Sequence, residues 1–260
     1  MSKTIALLSA ALICLLSGST ASLRAQGTPP HPDFSGVYYT FNPNAAAPAP
    51  PGTAGARGNA AAPPRPVAVI DGRAGRPETA PKLTAEYMAK WEILRKSRMS
   101  GSSEFDPNAR CLSAGMPSMM GMGYGMEIQQ TKDKITIYGE LNDVYRRIFL
   151  DGRKPSQKTL DDPTYAGYST GHWEGNTLVV DTVALRDDTL LDTFSPHSDQ
   201  MTVSERIRFT SAGVLEDRIT TTDPKALLEP HLAVHTYRKA SPPNDELREF
   251  SCAEGLSSVK

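Results

Sequence analysis

Apolar and polar residues alternate with a period of two along most of the second half of the chain. The alternating runs are short, and turn residues such as Asp151-Gly152 and Gly175-Asn176 separate them. They cover residues 126–130, 135–141, 144–150, 169–174, 177–183, 201–209, 214–222, 232–238 and 248–252. A further run at 33–41 predicts a first strand ahead of this series. Short strands with this spacing are typical of antiparallel barrels and sandwiches.

The strand series favours a closed, mainly β architecture. An open sheet of eight or nine strands would leave two unpaired edges, and closure into a barrel removes both. We therefore expect an antiparallel, lipocalin-like barrel, and a β-sandwich is the second choice.

A single segment, residues 84–98, has helical periodicity. Tyr87, Trp91 and Leu94 recur at a spacing that places them on one face of a helix. Thr84 stands at the expected N-cap position, where its hydroxyl could accept a backbone hydrogen bond. The pattern predicts one N-terminal amphipathic helix packed on the barrel.

The first 25 residues have the pattern of a secretory signal peptide. Lys3 supplies the positive start, residues 5–16 form the apolar run, and small residues follow as far as Ala25. The apolar run is shorter than the about 20 residues that a membrane span requires. We expect cleavage near residue 25, a mature protein in the periplasm or outside the cell, and no transmembrane anchor.

The composition changes between the first strand and the helix. This stretch is rich in Pro, Ala and Gly and offers little to bury, which predicts a disordered linker. The predicted organisation is a signal peptide (1–25), an N-terminal segment with the first strand (26–41), the linker (42–81), a helix-plus-barrel domain (82–252) and a tail (253–260).

Charge and motifs narrow the predicted partners. The formal net charge is -1, with acidic and basic residues mixed along the chain, so we expect no nucleic-acid partner. The sequence has no phosphate-binding loop, dinucleotide fingerprint, nucleophile elbow or H-E-x-x-H motif, and we expect no cofactor and no bound metal. The oligomeric state stays open.

Two cysteines, Cys111 and Cys252, follow the predicted signal peptide. In an oxidising compartment an even pair indicates a disulfide, and two buried free thiols are the alternative. A bridge would attach the C-terminal tail to the segment that enters the barrel.

The hairpin 169–183 carries the strongest candidates for chemistry. A two-residue turn at Gly175-Asn176 would pair His172 with Val179 and place His172, Glu174 and Asp181 on one polar face. A histidine beside carboxylates can act as a general acid or base, because a carboxylate orients the imidazole. The alternative is that this face is the wet outside of the barrel.

The strand 201–209 places a carboxylate among apolar residues. Glu205 alternates onto the same face as Val203 and Ile207. A buried carboxylate is costly unless it is paired, and such residues are enriched in functional sites. Glu205 is therefore an acid–base candidate, and the alternative is a structural salt bridge to Arg146 or Arg147.

The loop before that strand contains His197 and Asp199, which we expect at a barrel mouth, where binding residues are common. His197 completes the predicted catalytic set. A metal site built from these two residues with His172 and Glu174 has no supporting ligand spacing. His231 and His235 are four residues apart, a spacing that binds metal on a helix but not in the strand expected here.

Residues 115–126 contain five methionines. Clustered thioethers select Cu(I), and the alternative is that methionine and glycine form an adaptable apolar lining at a ligand mouth. The lining is the preferred interpretation. The predicted ligand-binding residues are Met119, Met120, Met122, Tyr124, Tyr145, Arg147 and Asp199.

Several motifs follow one another in a distinctive order: RCLSAGMPSMM, YGMEIQQTKDKITIYGE, YRRIFLDGR, GHWEGNTLVVDT and PHSDQMTVSERIRF. This string, over about residues 105–252, resembles an uncharacterised family of exported bacterial proteins. The chain has Asn176 where those proteins usually have Asp. The resemblance implies a bacterial, exported protein and supplies no reaction.

Together these patterns predict an exported β-barrel whose interior holds a small apolar or aromatic molecule. Cofactor-free acid–base chemistry by a lyase, isomerase or hydrolase is slightly favoured, with His172 as the base or acid and Asp181 as its orienter. A non-catalytic periplasmic carrier and a copper-handling protein are the alternatives.

Overall fold

The computed structural model describes residues 31–41, 80–102, 104–105, 107–192, 194–243, 245–248 and 250. The predicted signal peptide, most of the predicted linker and Cys252 lie outside these residues. None of the helices in the described part of the chain is long and apolar enough to span a membrane.

Nine strands and two α-helices make up the described structure. The strands are β1 (Gly36–Thr40), β2 (Met126–Gln130), β3 (Lys134–Gly139), β4 (Val144–Phe149), β5 (Tyr168–Glu174), β6 (Thr177–Val183), β7 (Thr202–Ser211), β8 (Val214–Thr222) and β9 (His231–Lys239). The helices are α1 (Ala85–Met99) and α2 (Gln157–Asp161). Single 3₁₀ turns occur at Asn108–Arg110, Ser118–Gly121 and Leu141–Asp143.

The strands form a closed barrel in which each strand pairs with the next and β9 pairs with β1. The predicted barrel is thus confirmed over the sandwich, because closure leaves no free sheet edge at β1 or β9. One pair departs from the antiparallel expectation: β4 and β5 are parallel and pair only at Ile148–Ser169 and Phe149–Thr170. A parallel connection needs a crossover of a dozen or more residues. Residues 150–167, including α2, supply it.

The predicted elements agree with the observed ones except at two places. Helix α1 is displaced by one residue from its predicted bounds, and strands β2, β6 and β8 have their predicted bounds. The last predicted strand, 248–252, is wrong where the structure describes it, because Arg248 and Phe250 lie in no strand. The short helix α2 was not predicted.

The two ends of the barrel differ in how they are covered. Tight turns after β2, β5 and β7 mark one end, which we call the plugged end. There Phe34 is 1% exposed and its ring lies 5.1 Å from that of Phe209 and 5.3 Å from that of Trp173. His31 stacks on Trp173 at 4.7 Å. Aromatic rings therefore close this end.

The opposite end, which we call the mouth, carries the longer connections and helix α1. Thr84 donates its amide to the Ala226 carbonyl, and Leu83 forms a bridge with Leu227 in the connection between β8 and β9. Tyr87 and Trp91 are buried in the hydrophobic core. The helix is thus fixed beside the mouth by its first turn and by its apolar face.

Candidate functional site: a cavity at the barrel mouth

An ion pair lies in the barrel interior, between the plugged end and the mouth. Arg146 on β4 and Glu205 on β7 are both fully buried. Arg146 Nη1 donates to Glu205 Oε1 at 2.8 Å, and Arg146 Nη2 donates to Glu205 Oε2. Arg146 also donates to the hydroxyls of Ser169 and Thr182, at 3.2 and 3.0 Å. The predicted inward position of Glu205 is confirmed, and its partner is one of the two arginines expected.

Asp217 on β8 lies beside this pair and is 1% exposed. Neither carboxyl oxygen has a hydrogen-bond partner among the described residues. Burial and the nearby Glu205 carboxylate raise the pKa of Asp217 well above its usual value. The raised pKa favours the protonated, uncharged form of Asp217 beside the Arg146–Glu205 pair.

The mouth contains a cavity of about 480 Å³. Its floor is the inner face of β9, and its walls come from the end of α1, the methionine-rich segment and the loop after β6. The apolar side chains that line it include Pro117, Met122, Tyr124, Leu141, Leu190 and Leu191. The polar ones include Arg98, Asp192, Thr221, His231 and His235. A concave, mostly apolar site of this volume with a few polar groups is typical of small-molecule binding.

His235 on the cavity floor lies directly beneath Gly121 of the methionine-rich segment. A Cβ atom added at Gly121 would lie 2.9 Å from His235 Cε1, so a larger residue at 121 would displace the imidazole. Burial lowers the pKa of His235, and the Glu205 carboxylate opposes this effect. A lowered pKa leaves a neutral imidazole at pH 7, which can donate one hydrogen bond and accept another.

Asp192 at the cavity wall is already used by the fold. Its Oδ1 accepts the amides of Phe194 and Ser195 at 2.8 and 2.7 Å, and its Oδ2 accepts the Ser195 hydroxyl at 3.0 Å. These bonds hold the loop that closes the mouth. His235 is therefore a better candidate than Asp192 for contact with a ligand.

The barrel interior itself is filled by side chains. A cavity of about 10 Å³ lies among Phe34, Asp217, Tyr237 and their apolar neighbours, and one of about 30 Å³ lies beneath Met120 and Met126. Neither can hold an organic molecule. The expectation of a ligand deep in the barrel interior is wrong for this structure, and the cavity that adjoins the interior lies at the mouth.

The hairpin β5–β6 has the predicted register, since His172 pairs with Val179 and Glu174 with Thr177. Gly175 has a φ of +59°, as the turn requires. The face that carries His172, Glu174 and Asp181, however, is the exposed outside of the barrel. The pairing across the turn was therefore predicted correctly, and of the two orientations left open, the structure has the one that places this face outside.

These outer residues form a surface cluster. His172 Nε2 lies 3.5 Å from Glu174 Oε1, and Glu174 Oε2 accepts a hydrogen bond from Arg206 at 2.7 Å. Arg206 lowers the pKa of Glu174, with a smaller effect from His172. Of the five predicted catalytic residues, the three on this outer face, His172, Glu174 and Asp181, do not line the mouth cavity. Their acid–base role stays a prediction that the geometry does not support.

His197 and Asp199 lie near the mouth but do not face its cavity. His197 is 3% exposed, with Nε2 at 2.8 Å from the Thr189 hydroxyl and Nδ1 at 3.0 Å from the Ser198 carbonyl oxygen. Burial lowers its pKa. Asp199 is exposed and accepts a hydrogen bond from Lys225 at 2.7 Å. Both residues hold the loop in place.

The methionine-rich segment packs into the protein. Met116, Met120 and Met126 are buried in the core, and Met119 packs against it. Met122 and Tyr124 line the mouth cavity, whereas Met119 and Met120 line the small cavity beneath. This placement favours the apolar lining over a copper site, since most of the thioethers already have apolar neighbours.

The structure gives partial information on the predicted metal and disulfide sites. Among the described residues, no three His, Cys, Asp or Glu side chains lie close enough to hold a metal ion. Cys111 is disulfide-bonded. Because Cys252 lies outside the described residues, the Cys111–Cys252 pairing stays a prediction.

Sequence reasoning missed His235 as a site residue. The signal was available, because residues 231, 233, 235 and 237 alternate along β9 with the buried Tyr237 on the same face. The four-residue spacing of His231 and His235 suits metal binding only on a helix, whereas in a strand it places both residues on the same face. Their inward position in a strand makes them cavity residues.

No protein-family model matches the chain, and no curated protein matches it in sequence. Among solved structures, the chain is similar to the wild-type fluorescent protein UnaG at 18% identity, covering 52% of this chain and 88% of that one with a TM-score of 0.29. A mutant of UnaG matches at 18% identity over 45% of this chain and 70% of that one, with a TM-score of 0.27. The assignment of the barrel rests on the strand pairings.

Proposed function

We propose that this protein is an exported barrel that binds a small, mainly apolar or aromatic molecule in the cavity at its mouth. The observation that carries the proposal is the cavity of about 480 Å³, with apolar walls and His235 at its floor. The signal-like residues 1–25 and the resemblance to exported bacterial proteins support export.

The chemistry of the lining restricts the ligand. Leucine, methionine, proline and tyrosine side chains form most of the walls, so burial of apolar surface supplies the main driving force. A neutral imidazole at the floor can form one directed hydrogen bond with a hydroxyl, carbonyl or amine of the ligand. A flat molecule with one polar group fits this arrangement best.

Binding of the uncharged dye N-phenyl-1-naphthylamine tests the site. Ala233→Phe adds a ring on the floor of the cavity and is expected to weaken dye binding at least tenfold. Val234→Phe is the matched control, because residue 234 is 46% exposed on the outer face. Equal affinities of the two variants for the dye, with both folded by circular dichroism, would refute the proposal.

Acid–base turnover is the second candidate function, now with His235 in place of His172. The observation that favours it is that His235 lies directly opposite the buried Asp217 in the β8–β9 register. A panel of aromatic esters would test hydrolysis. We expect saturable turnover. It should fall at least about a hundredfold in His235→Gln and should persist in His172→Ala. Rates no higher than those of free imidazole would exclude it.

A further inference from the structure

A second cleft, also of about 480 Å³, lies on the side of the barrel between β4 and the segment 164–168. It exists because the parallel pair β4–β5 is so short. Toward the mouth, the segment before β5 moves away from β4: Thr164 donates its amide to the Ala184 carbonyl, which follows β6. The barrel wall is therefore open beside the first half of β4. We call this opening the lateral cleft.

The backbone of β4 presents hydrogen-bonding groups to the lateral cleft. Leu150 donates its amide to the Asp133 carbonyl at 2.8 Å, so the even-numbered residues of β4 bond toward β3. The amides and carbonyls of odd-numbered residues, including Tyr145 and Arg147, consequently point toward β5. In the described structure, Ile148 and Phe149 are the residues of β4 that pair with β5, and the bridge at Ile148 uses the Arg147 carbonyl and the Phe149 amide. On this side of β4, the Tyr145 amide and carbonyl and the Arg147 amide are therefore left without a strand partner among the described residues.

The side chains around this edge are largely aromatic. Tyr145 is 57% exposed, and the rings of Phe149 and Tyr168 lie 5.2 Å apart beside it. Tyr165 contributes from the crossover. Rings placed beside a strand edge form shallow wells for the side chains of an added strand.

Charged groups at the lateral cleft have both signs, since Arg147, Asp143 and Asp162 all line it. Asp143 already accepts a hydrogen bond from the Tyr138 hydroxyl at 2.5 Å. This mixture gives no preference for an anion or a cation. A neutral peptide backbone, with its alternating hydrogen-bond donors and acceptors, suits the lateral cleft better than a charged ligand does.

We propose that the lateral cleft binds an extended, aromatic-containing peptide that pairs with the free edge of β4 at Tyr145 and Arg147. Strand addition of this kind takes its affinity from main-chain hydrogen bonds and its selectivity from wells for alternate side chains. The site is separate from the mouth cavity and does not depend on the function proposed there. It also gives a role to Tyr145 and Arg147, which were predicted to bind a ligand.

The test uses a neutral pentapeptide of alternating threonine and tyrosine, acetylated and amidated at its ends. Titration into the ¹⁵N-labelled protein is expected to shift the amide signals of Tyr145, Arg147 and Tyr168. The signals of Ala233 and His235 at the mouth are expected to stay in place. Shifts only at the mouth, or none at either site, would overturn the proposal.

Two N-methylated versions of the peptide distinguish strand addition from general aromatic binding. One carries methyl groups on the tyrosine nitrogens and the other on the threonine nitrogens. Only one set of amides can face β4, so one version is expected to bind at least tenfold more weakly and the other about as well as the parent. Equal binding of both versions, or of free tyrosine, would show that no strand is added.

Protein variants supply an independent check. Tyr145→Ala is expected to weaken binding of the pentapeptide at least fivefold, because it removes one wall of the lateral cleft. Tyr39→Ala is the matched control, since this tyrosine is 36% exposed on another strand. Equal weakening in both variants would contradict the assignment.

Discussion

The two ends of the barrel use the same strands for opposite purposes. At the plugged end, short turns leave no room for a cavity, and Phe34 lies between Phe209 and Trp173. At the mouth, long connections and helix α1 surround a cavity of about 480 Å³. Aromatic side chains fill the end where the chain turns tightly, and open space is found at the end where the connections are long. The buried pair Arg146–Glu205 separates the two.

The largest effect on stability is expected from disrupting the buried Arg146–Glu205 pair, which lies between the plugged end and the mouth. Glu205→Leu leaves the Arg146 guanidinium buried without its partner and should lower the free energy of unfolding by about 3–5 kcal/mol. Urea denaturation followed by circular dichroism measures it. The double variant Arg146→Met/Glu205→Leu should recover most of the loss, because two apolar side chains leave no buried charge. If the double variant does not recover this stability, the Arg146–Glu205 pair contributes more to the fold than the mutual neutralisation of two buried charges.

The next largest effect is expected at the plugged end. Phe34→Ala removes the buried ring and should lower the free energy of unfolding by about 3 kcal/mol. Binding of N-phenyl-1-naphthylamine at the mouth should change less than twofold in the variant under conditions where it is folded. A large loss of dye affinity would show that the two ends are not independent.

Asp217, which lies beside the buried Arg146–Glu205 pair, makes the folding stability of the protein depend on pH. Its pKa is raised in the folded state, so the folded protein keeps a proton that the unfolded chain loses above about pH 4. Folding stability therefore falls as the pH rises from about 4 toward the raised pKa, by at most about 1.4 kcal/mol per pH unit from this group.

Asp217→Asn should remove that part of the pH dependence and should make the protein more stable than the parent at neutral pH. Thermal unfolding of both proteins between pH 4 and pH 8 measures the difference. Parallel stability curves would mean that Asp217 is ionised in the folded state.

The smallest effect is expected outside the barrel. His172→Ala alters an exposed side chain and should change the free energy of unfolding by less than about 0.5 kcal/mol. Dye binding at the mouth should be the same as in the parent, whereas His235→Ala should weaken it several-fold. A strong effect of His172→Ala on binding or turnover would restore the hairpin as the functional site.

The strand alternation predicted much of this structure because the period of two depends only on local geometry. It gave the bounds of β2, β6 and β8 and the inward position of Glu205. It could not give the parallel β4–β5 pair, because the direction of pairing depends on where the crossover 150–167 lies. The lateral cleft follows from that pair and was therefore absent from the prediction.

The candidate site was predicted less well than the fold. Met122 and Tyr124 were expected at a ligand mouth and line the cavity there. His172 and His235 each stand in an alternating strand, and local pattern alone gives no reason to prefer one as the inner residue. On β5 the inner face carries Trp173, whereas on β9 it carries His235 and Tyr237.

The sequence by itself determined that the chain forms a series of short strands with one amphipathic helix, and which side chains share each strand face. Only the tertiary structure decided which face is inside, where the wall opens and where space is left for a ligand. The physical reason is that alternation is a property of one strand, whereas burial depends on all nine strands closing around the same interior. A polar residue such as His235 lies inside only because its neighbours bring it there.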